Sequence, residues 1–277
     1  MMPDRAKAAR DLLAFYADAG VDMAVGEEAN DFLAPPEKLA APAAISSPRS
    51  PTVRSVTSQL ELGATSARSN PAPLPPDTAI MAAREAARSA ATMEELRAIL
   101  ETFEGCALRS TATQLVFADG NPKARVMFVG EGPGYEEDKQ GLPFVGRSGK
   151  LLDQMLKAIG LDRTQVYIAN IVPWRPPGNR TPTPQEAAIC LPFVLRQIAL
   201  CDPDILVCLG GPSAQTLLNV KEGIMKLRGR WFAFNSGARE IRAMPTLHPA
   251  YLLRTPLAKR NAWRDFLAIK KALSSQP

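Results

Sequence analysis

The chain has 277 residues, in which 33 lysines and arginines exceed 28 aspartates and glutamates, so the formal net charge is +5. No apolar run approaches the roughly 20 residues that cross a bilayer, and the four cysteines lack the paired spacing of a secreted disulfide framework. We therefore expect a soluble, cytoplasmic, monomeric protein whose modest basic excess suits a polyanionic partner without requiring one.

The N-terminal part of the chain predicts a helix followed by a linker. Apolar residues within 4–25 fall roughly on one face of a helix, which serves either for docking or for recruiting a replication or repair partner. From residue 35 to 76 proline, alanine and serine dominate, a composition that buries too little apolar surface to order itself. The predicted division is a helical segment (1–34), a flexible linker (35–76) and a globular domain (77–277).

The globular domain predicts a three-layer α/β/α sandwich around a central, mainly parallel, four-stranded sheet. Apolar runs alternate with helical patterns, which is typical of parallel strands covered on both faces. The strands are predicted at 126–129, 166–171, 205–209 and 241–245. The helices are predicted at 77–103, 148–159, 184–200, 213–218 and 256–273.

A glycine-rich turn, Gly-Glu-Gly-Pro-Gly, follows the first predicted strand. Its glycines Gly130, Gly132 and Gly134 allow the backbone to approach a ligand closely, and Glu131 adds an acid. Phe144, in the Leu-Pro-Phe-Val-Gly stretch that follows, either packs in the core or stacks on a ligand. Because ligand sites of α/β sheets form at the carboxyl ends of strands, the turn predicts a pocket there.

Two polar residues stand at the ends of other predicted strands. Asn170 either makes a turn or offers an amide whose donor and acceptor match O4 and N3–H of uracil and mismatch cytosine. His248 is the only histidine of the chain and is either structural or catalytic. After it, Leu252, Leu253 and Arg254 form either a turn packed on the core or an apolar wedge beside a cation.

In this order the segments resemble the three motifs of the uracil-DNA glycosylase superfamily, and within it the family 4 bacterial and archaeal enzymes. The resemblance runs from about residue 103 to 273. The first motif is similar to Gly-Glu-Gly-Pro-Gly…Gly-Leu-Pro-Phe-Val-Gly-Arg-Ser-Gly, the second to Asn170-Ile-Val…Arg-Pro-Pro-Gly-Asn-Arg-Thr-Pro, and the third to His248-Pro-Ala-Tyr-Leu-Leu-Arg.

The resemblance implies a catalytic domain at 77–277 that flips uracil out of DNA and hydrolyses its N-glycosidic bond, leaving an abasic site. Phe144 would stack on the base, Asn170 would read its polar edge, and His248 would hydrogen-bond the oxygen that becomes negative. Glu131 would position water and stabilise the cationic sugar. Six residues would contact DNA: Arg175, Arg180, Ser213, Leu252, Arg254 and Lys259.

The cysteines depart from the family. Family 4 enzymes typically hold a 4Fe–4S cluster on four cysteines, whereas Phe103 and Trp174 stand at two of the ligand positions here, and only Cys106 and Cys190 match. Two thiolates cannot hold a cluster that needs four ligands. We therefore predict no cofactor and no metal, with the two aromatic side chains filling the volume and Cys106 lying close to Cys190.

Two other functions stay open on the sequence. One is a DNA-binding scaffold without activity, against which the joint presence of Glu131, Phe144, Asn170 and His248 argues. The other is a glycosylase for another base, such as hypoxanthine, because the pocket motifs do not exclude it. The loop at 173–183 contains no histidine, so the covalent capture of uracil-DNA by a cousin family is not expected.

Overall fold

The computed structural model describes residues 76–275, and the predicted N-terminal helix and nearly all of the predicted linker lie outside this range. The described residues form a mixed sheet with the spatial order β1-β3-β2-β4-β6-β5. The strands are Asp119–Gly120 (β1), Val126–Gly130 (β2), Tyr167–Asn170 (β3), Ile205–Leu209 (β4), Phe232–Asn235 (β5) and Glu240–Thr246 (β6).

The four inner strands pair in parallel and correspond to the four predicted ones, so the α/β class is confirmed. The predicted number of strands is wrong, because β1 and β5 add antiparallel pairs at the two edges. β1 has only two residues, and β5 alternates between exposed and more buried positions. Neither edge strand therefore has the continuous apolar run that marks a strand buried on both faces.

Helices cover both faces of the sheet. They are Pro76–Ser89 (α1), Met93–Thr102 (α2), Leu108–Thr111 (α3), Tyr135–Gln140 (α4), Arg147–Ala158 (α5), Pro184–Cys201 (α6), Gly211–Leu218 (α7), Ile224–Leu227 (α8), Pro249–Arg254 (α9) and Lys259–Ser274 (α10). Short 3₁₀ turns occur at Arg163–Gln165, Pro177–Asn179 and Pro256–Ala258. None of the helices in the described part of the chain is both long and apolar enough to cross a membrane.

The single helix predicted at 77–103 is two helices. The Thr92 hydroxyl accepts the N–H of Glu95 at 3.2 Å, and the Glu95 carboxylate accepts the N–H of Ala91 at 2.6 Å. This reciprocal cap starts α2 and ends the continuous helix, and its Thr-x-x-Glu spacing is visible in the sequence.

The core has two halves, one on each face of the sheet. Met127 and Val129 of β2 pack with α1, α2 and α6, whereas Val126 and Phe128 pack with α5 and α10. Phe128 also stacks on Phe266 of α10, with ring centroids 5.9 Å apart. Burial of each such large side chain contributes about 1.5–3 kcal/mol, so the inner strands form a rigid frame whose carboxyl ends lie at one edge.

Candidate functional site

A pocket of roughly 590 Å³ opens at the carboxyl ends of the parallel strands. Strand register brings its parts together, because Gly130 at the end of β2 pairs with Asn170 at the end of β3. Eight of the predicted site residues line this pocket: Glu131, Gly132, Gly134, Phe144, Asn170, Arg180, His248 and Arg254. Residues far apart in sequence therefore share one concave surface.

Gly130 lies against two residues that line the pocket, and its lack of a side chain is a spatial requirement. A Cβ atom there would clash with Oδ1 of Asn170 and lie 2.7 Å from Cζ of Phe144. Real side chains do not tolerate such contacts in a close-packed interior. Glycine at this position therefore lets the Asn170 amide and the Phe144 ring converge.

Phe144 forms an aromatic wall beside the histidine. Its ring centroid lies 5.5 Å from that of His248, and the two planes are inclined by 31°. The Phe144 backbone adopts the left-handed conformation with φ +54°, which costs a residue with a Cβ atom roughly 1–2 kcal/mol. Such a conformation persists only where the surrounding structure fixes it.

His248 caps the N-terminus of α9, and this contact settles which nitrogen carries its proton. Nδ1 accepts a hydrogen bond from the backbone N–H of Ala250 at 3.1 Å. The remaining nitrogen, Nε2, is therefore the donor of the neutral ring. Burial and the nearby charge of Arg254 lower the pKa of His248 to about 4, against the opposing charge of Glu137. Near neutral pH the ring is uncharged.

Two buried oxygen atoms of the pocket lack a donor. Oε1 of Glu131 and Oδ1 of Asn170 find no hydrogen-bond partner among residues 76–275. Burial raises the pKa of Glu131. An unsatisfied buried acceptor costs about 1–3 kcal/mol, so each oxygen atom indicates a place where a ligand or a water molecule supplies a hydrogen.

Two predicted arginines are engaged within the protein. The guanidinium of Arg180 forms two hydrogen bonds with the carboxylate of Glu186, at 2.8 and 2.6 Å. Arg175 donates to Oδ1 of Asn179 at 2.6 Å and lies over the ring of Tyr135. Contact with DNA requires each of them to share or exchange these partners.

By contrast, Arg254 and Lys259 are exposed and make no ion pair within the described range. Their placement is compatible with the predicted phosphate contacts.

The structure contradicts the predicted DNA contact of Ser213. Its side chain is fully buried, and its hydroxyl donates to the carbonyl oxygen of Val129 at 2.7 Å. This bond links the first turn of α7 to β2. The hydroxyl is therefore a structural link between helix and strand and does not reach phosphate.

The predicted wedge residue Leu252 is also a correction. Only 1% of its surface is exposed, and it packs with Leu247, Ala258 and Ala262 in a small core cluster. Its position in α9 turns it towards the domain. The exposed leucine of this region is Leu257, at 88%, which follows the third motif and is not among the predicted DNA contacts.

The cysteine region fits aromatic packing and does not fit a four-thiolate cluster. The Sγ atoms of Cys106 and Cys190 lie 3.8 Å apart, and the Cys190 thiol donates to Cys106, which lowers the pKa of the Cys106 thiol. Phe103 packs edge-on against Phe193 at 4.9 Å between centroids, and Trp174 is only 2% exposed. The two positions that would supply further thiolates thus hold packed rings.

The other two cysteines do not complete a ligand set. Cys201 donates to the carbonyl oxygen of Ala124, and Cys208 lies inside β4. No group of three or more His, Cys, Asp or Glu residues between 76 and 275 is placed to hold a metal ion.

The chain resembles known proteins over most of its described residues. The family model described as "Uracil DNA glycosylase superfamily" matches residues 117–267. A type-4 uracil-DNA glycosylase of Thermotoga maritima is 45% identical over 168 residues, which cover 59% of this chain and 86% of the relative. One of Sulfurisphaera tokodaii is 40% identical over 185 residues, or 65% and 84%. The chain therefore belongs to the uracil-DNA glycosylase superfamily.

Proposed function

We propose that this protein is a monofunctional uracil-DNA glycosylase, which releases uracil from DNA by hydrolysis and leaves an abasic site. The observation that carries the proposal is the unpaired Oδ1 of buried Asn170, which lies beside Phe144 in a pocket that His248 also lines. The names of the relatives, type-4 uracil-DNA glycosylases, support the same activity.

Asn170 accounts for the choice of base. Its Oδ1 accepts the N3–H of uracil, and its amide N–H₂ donates to O4. Cytosine carries an amino group in place of O4 and has no hydrogen on N3, so both contacts would be lost. A base flipped into the pocket stacks on Phe144, and such stacking contributes roughly 1–3 kcal/mol per base.

His248 and Glu131 account for bond cleavage. As the bond between N1 and C1′ breaks, negative charge develops on the base, and the neutral ring of His248 donates its Nε2–H to the oxygen that receives it. The Glu131 carboxylate, above its raised pKa, stabilises the cationic sugar and positions the attacking water.

The proposed enzyme works without an iron–sulfur cluster. This part of the proposal rests on the packed rings at Phe103 and Trp174 and on the four-ligand requirement of the cluster. The catalytic steps proposed above use only protein side chains and water. Recruitment of a replication or repair partner by the N-terminal segment stays a prediction from the sequence.

The test uses an oligonucleotide with one uracil, treated with alkali after incubation. We expect strand cleavage by the wild-type protein and by the surface variant Arg97→Ala, and a loss of at least about a hundredfold in His248→Asn and Asn170→Ala. Intact strands with retained DNA binding would instead indicate a scaffold. Cleavage only at hypoxanthine would indicate another base. Both outcomes would refute the proposal.

A further inference from the structure

The conformation of Phe144 is held by a residue that does not line the pocket. Arg163 donates from Nη1 to the carbonyl oxygen of Pro143 at 3.1 Å and from Nη2 to the carbonyl oxygen of Phe144. Both carbonyl groups flank the residue that has the left-handed backbone. The guanidinium therefore fixes the two peptide planes that define this conformation.

Arg163 is itself fixed by two carboxylates. Its Nη1 lies 2.6 Å from Oδ2 of Asp119 at the sheet edge, and its Nε lies 2.7 Å from Oδ1 of Asp153 on α5. The side chain of Arg163 is 24% exposed, so these charge-assisted bonds are partly shielded from water. We call the Arg163 guanidinium with these four partners the Arg163 fork. It connects β1 and α5 to the backbone of Phe144, which forms the aromatic wall.

The next two residues are held by the carboxylate of Glu137. Oε1 of Glu137 accepts the N–H of Val145 at 3.0 Å and of Gly146 at 2.9 Å, and Oε2 accepts the N–H of Gly134 at 3.1 Å. The carboxylate therefore joins the glycine-rich turn to the segment that follows Phe144.

We propose that Arg163 is a positioning residue, which acts with Glu137 to hold the Phe144 ring at the stacking distance of the flipped base. The inference rests on the proposed function. Without the fork, the Phe144 backbone relaxes towards the negative φ that residues with a Cβ atom favour. Its ring then leaves the place where it stacks on the base.

A double-mutant cycle tests this role, with kcat/KM on uracil DNA and the inhibition constant of free uracil as readouts. Arg163→Ala is expected to lower kcat/KM by about tenfold to a hundredfold and to weaken inhibition by uracil in parallel. In a Phe144→Ala background the same substitution should change kcat/KM by less than about twofold, because its effect passes through the ring. Arg163→Lys should recover only part of the loss.

Arg239→Ala is a matched control. Arg239 also binds two carboxylates, of Asp202 and Asp204, and two carbonyl groups, but it does so next to the amino ends of β4 and β6. The Arg239→Ala substitution should leave the inhibition constant of free uracil unchanged. If Arg163→Ala does not fold, Asp119→Asn removes one anchor of the fork and should weaken uracil inhibition in the same direction.

The outcomes separate the two claims. A wild-type protein that releases no uracil would refute the proposed function. A wild-type protein that releases uracil, together with equal losses from Arg163→Ala in both backgrounds, would refute the positioning role alone. Uracil inhibition that is unchanged in Arg163→Ala and in Asp119→Asn would refute it as well.

Discussion

At the scale of single residues, the hydrogen bond from Ala250 to Nδ1 of His248 links helix capping to chemistry. The bond leaves Nε2 as the donor, and the pKa of about 4 keeps the ring neutral near pH 7. A neutral imidazole is a weak acid, so it stabilises the developing negative charge through a hydrogen bond and keeps its proton. One contact thus sets both the tautomer and the start of α9.

The two roles of His248 separate in the variant His248→Asn. Asparagine is a favourable N-cap, so α9 should persist and the melting temperature should change little. We expect kcat for uracil release to fall by about 10²–10³-fold, because the shorter amide has no donor at the position of Nε2, which is the proposed donor to the base. Single-turnover release together with thermal unfolding measures both effects. A variant with activity within about threefold of the wild type would contradict the assigned role.

The raised pKa of Glu131 predicts that replacing this residue lowers activity but increases stability. Its folded pKa is raised by burial, so the folded state holds its proton more tightly than the unfolded chain does. The ionised carboxylate therefore destabilises the fold, and this penalty grows as pH rises from the unfolded pKa through the folded one.

Glu131→Gln should raise the melting temperature at pH 7, and the gain should shrink towards pH 4. The same change should lower kcat by roughly a hundredfold and remove the contribution of Glu131 to the acid limb of the pH profile of kcat/KM, which leaves the protonation of His248 near pH 4. Thermal unfolding and kinetics between pH 4 and 8 measure both. A variant that is less stable than the wild type at pH 7 would contradict the assignment of the raised pKa.

At the scale of elements, aromatic packing joins α6 to the segments that carry Phe103 and Trp174. Trp174 is buried with Cys190 and Phe193 in one cluster, and the ring pair of Phe103 and Phe193 lies beside it. Rings in such a cluster stabilise through buried area and edge-to-face contact. The fold in this region therefore depends on apolar volume.

Trp174→Ala should destabilise the protein by about 3–5 kcal/mol, as expected for an aromatic core deletion. The measurement is urea unfolding, with Trp263→Ala as the matched control, because Trp263 is 44% exposed. We expect the control to stay near the wild-type value. An unchanged midpoint in Trp174→Ala would contradict the packing account.

Some elements follow from the sequence more directly than others. Inner strands such as Ile205–Leu209 are continuous apolar runs, and these were predicted correctly. The edge strands lack that pattern. Ser213 and Leu252 were placed wrongly because the order of residues along the chain does not show which way a short helix turns a side chain. The roles proposed for Glu137 and Arg163 depend on backbone contacts, which no residue pattern reveals.

At the scale of the whole molecule, parallel topology brings distant residues to one pocket. Glu131, Asn170 and His248 follow or end different strands. Because these strands pair in parallel, their carboxyl ends lie at one edge of the sheet. The aligned relatives cover 59–65% of this chain. The predicted helical segment at 1–34 and the predicted linker at 35–76 stay predictions.

The most direct test of the central claim measures two quantities on the same purified protein, the iron bound per chain and the uracil released. Both are measured before and after incubation with iron and sulfide. The account predicts a colourless protein with far less than one iron atom per chain, which releases one free uracil for each abasic site. Activity that rises and falls with bound iron would contradict the cluster-free mechanism. A protein that releases no uracil at either iron content would contradict the proposed function itself.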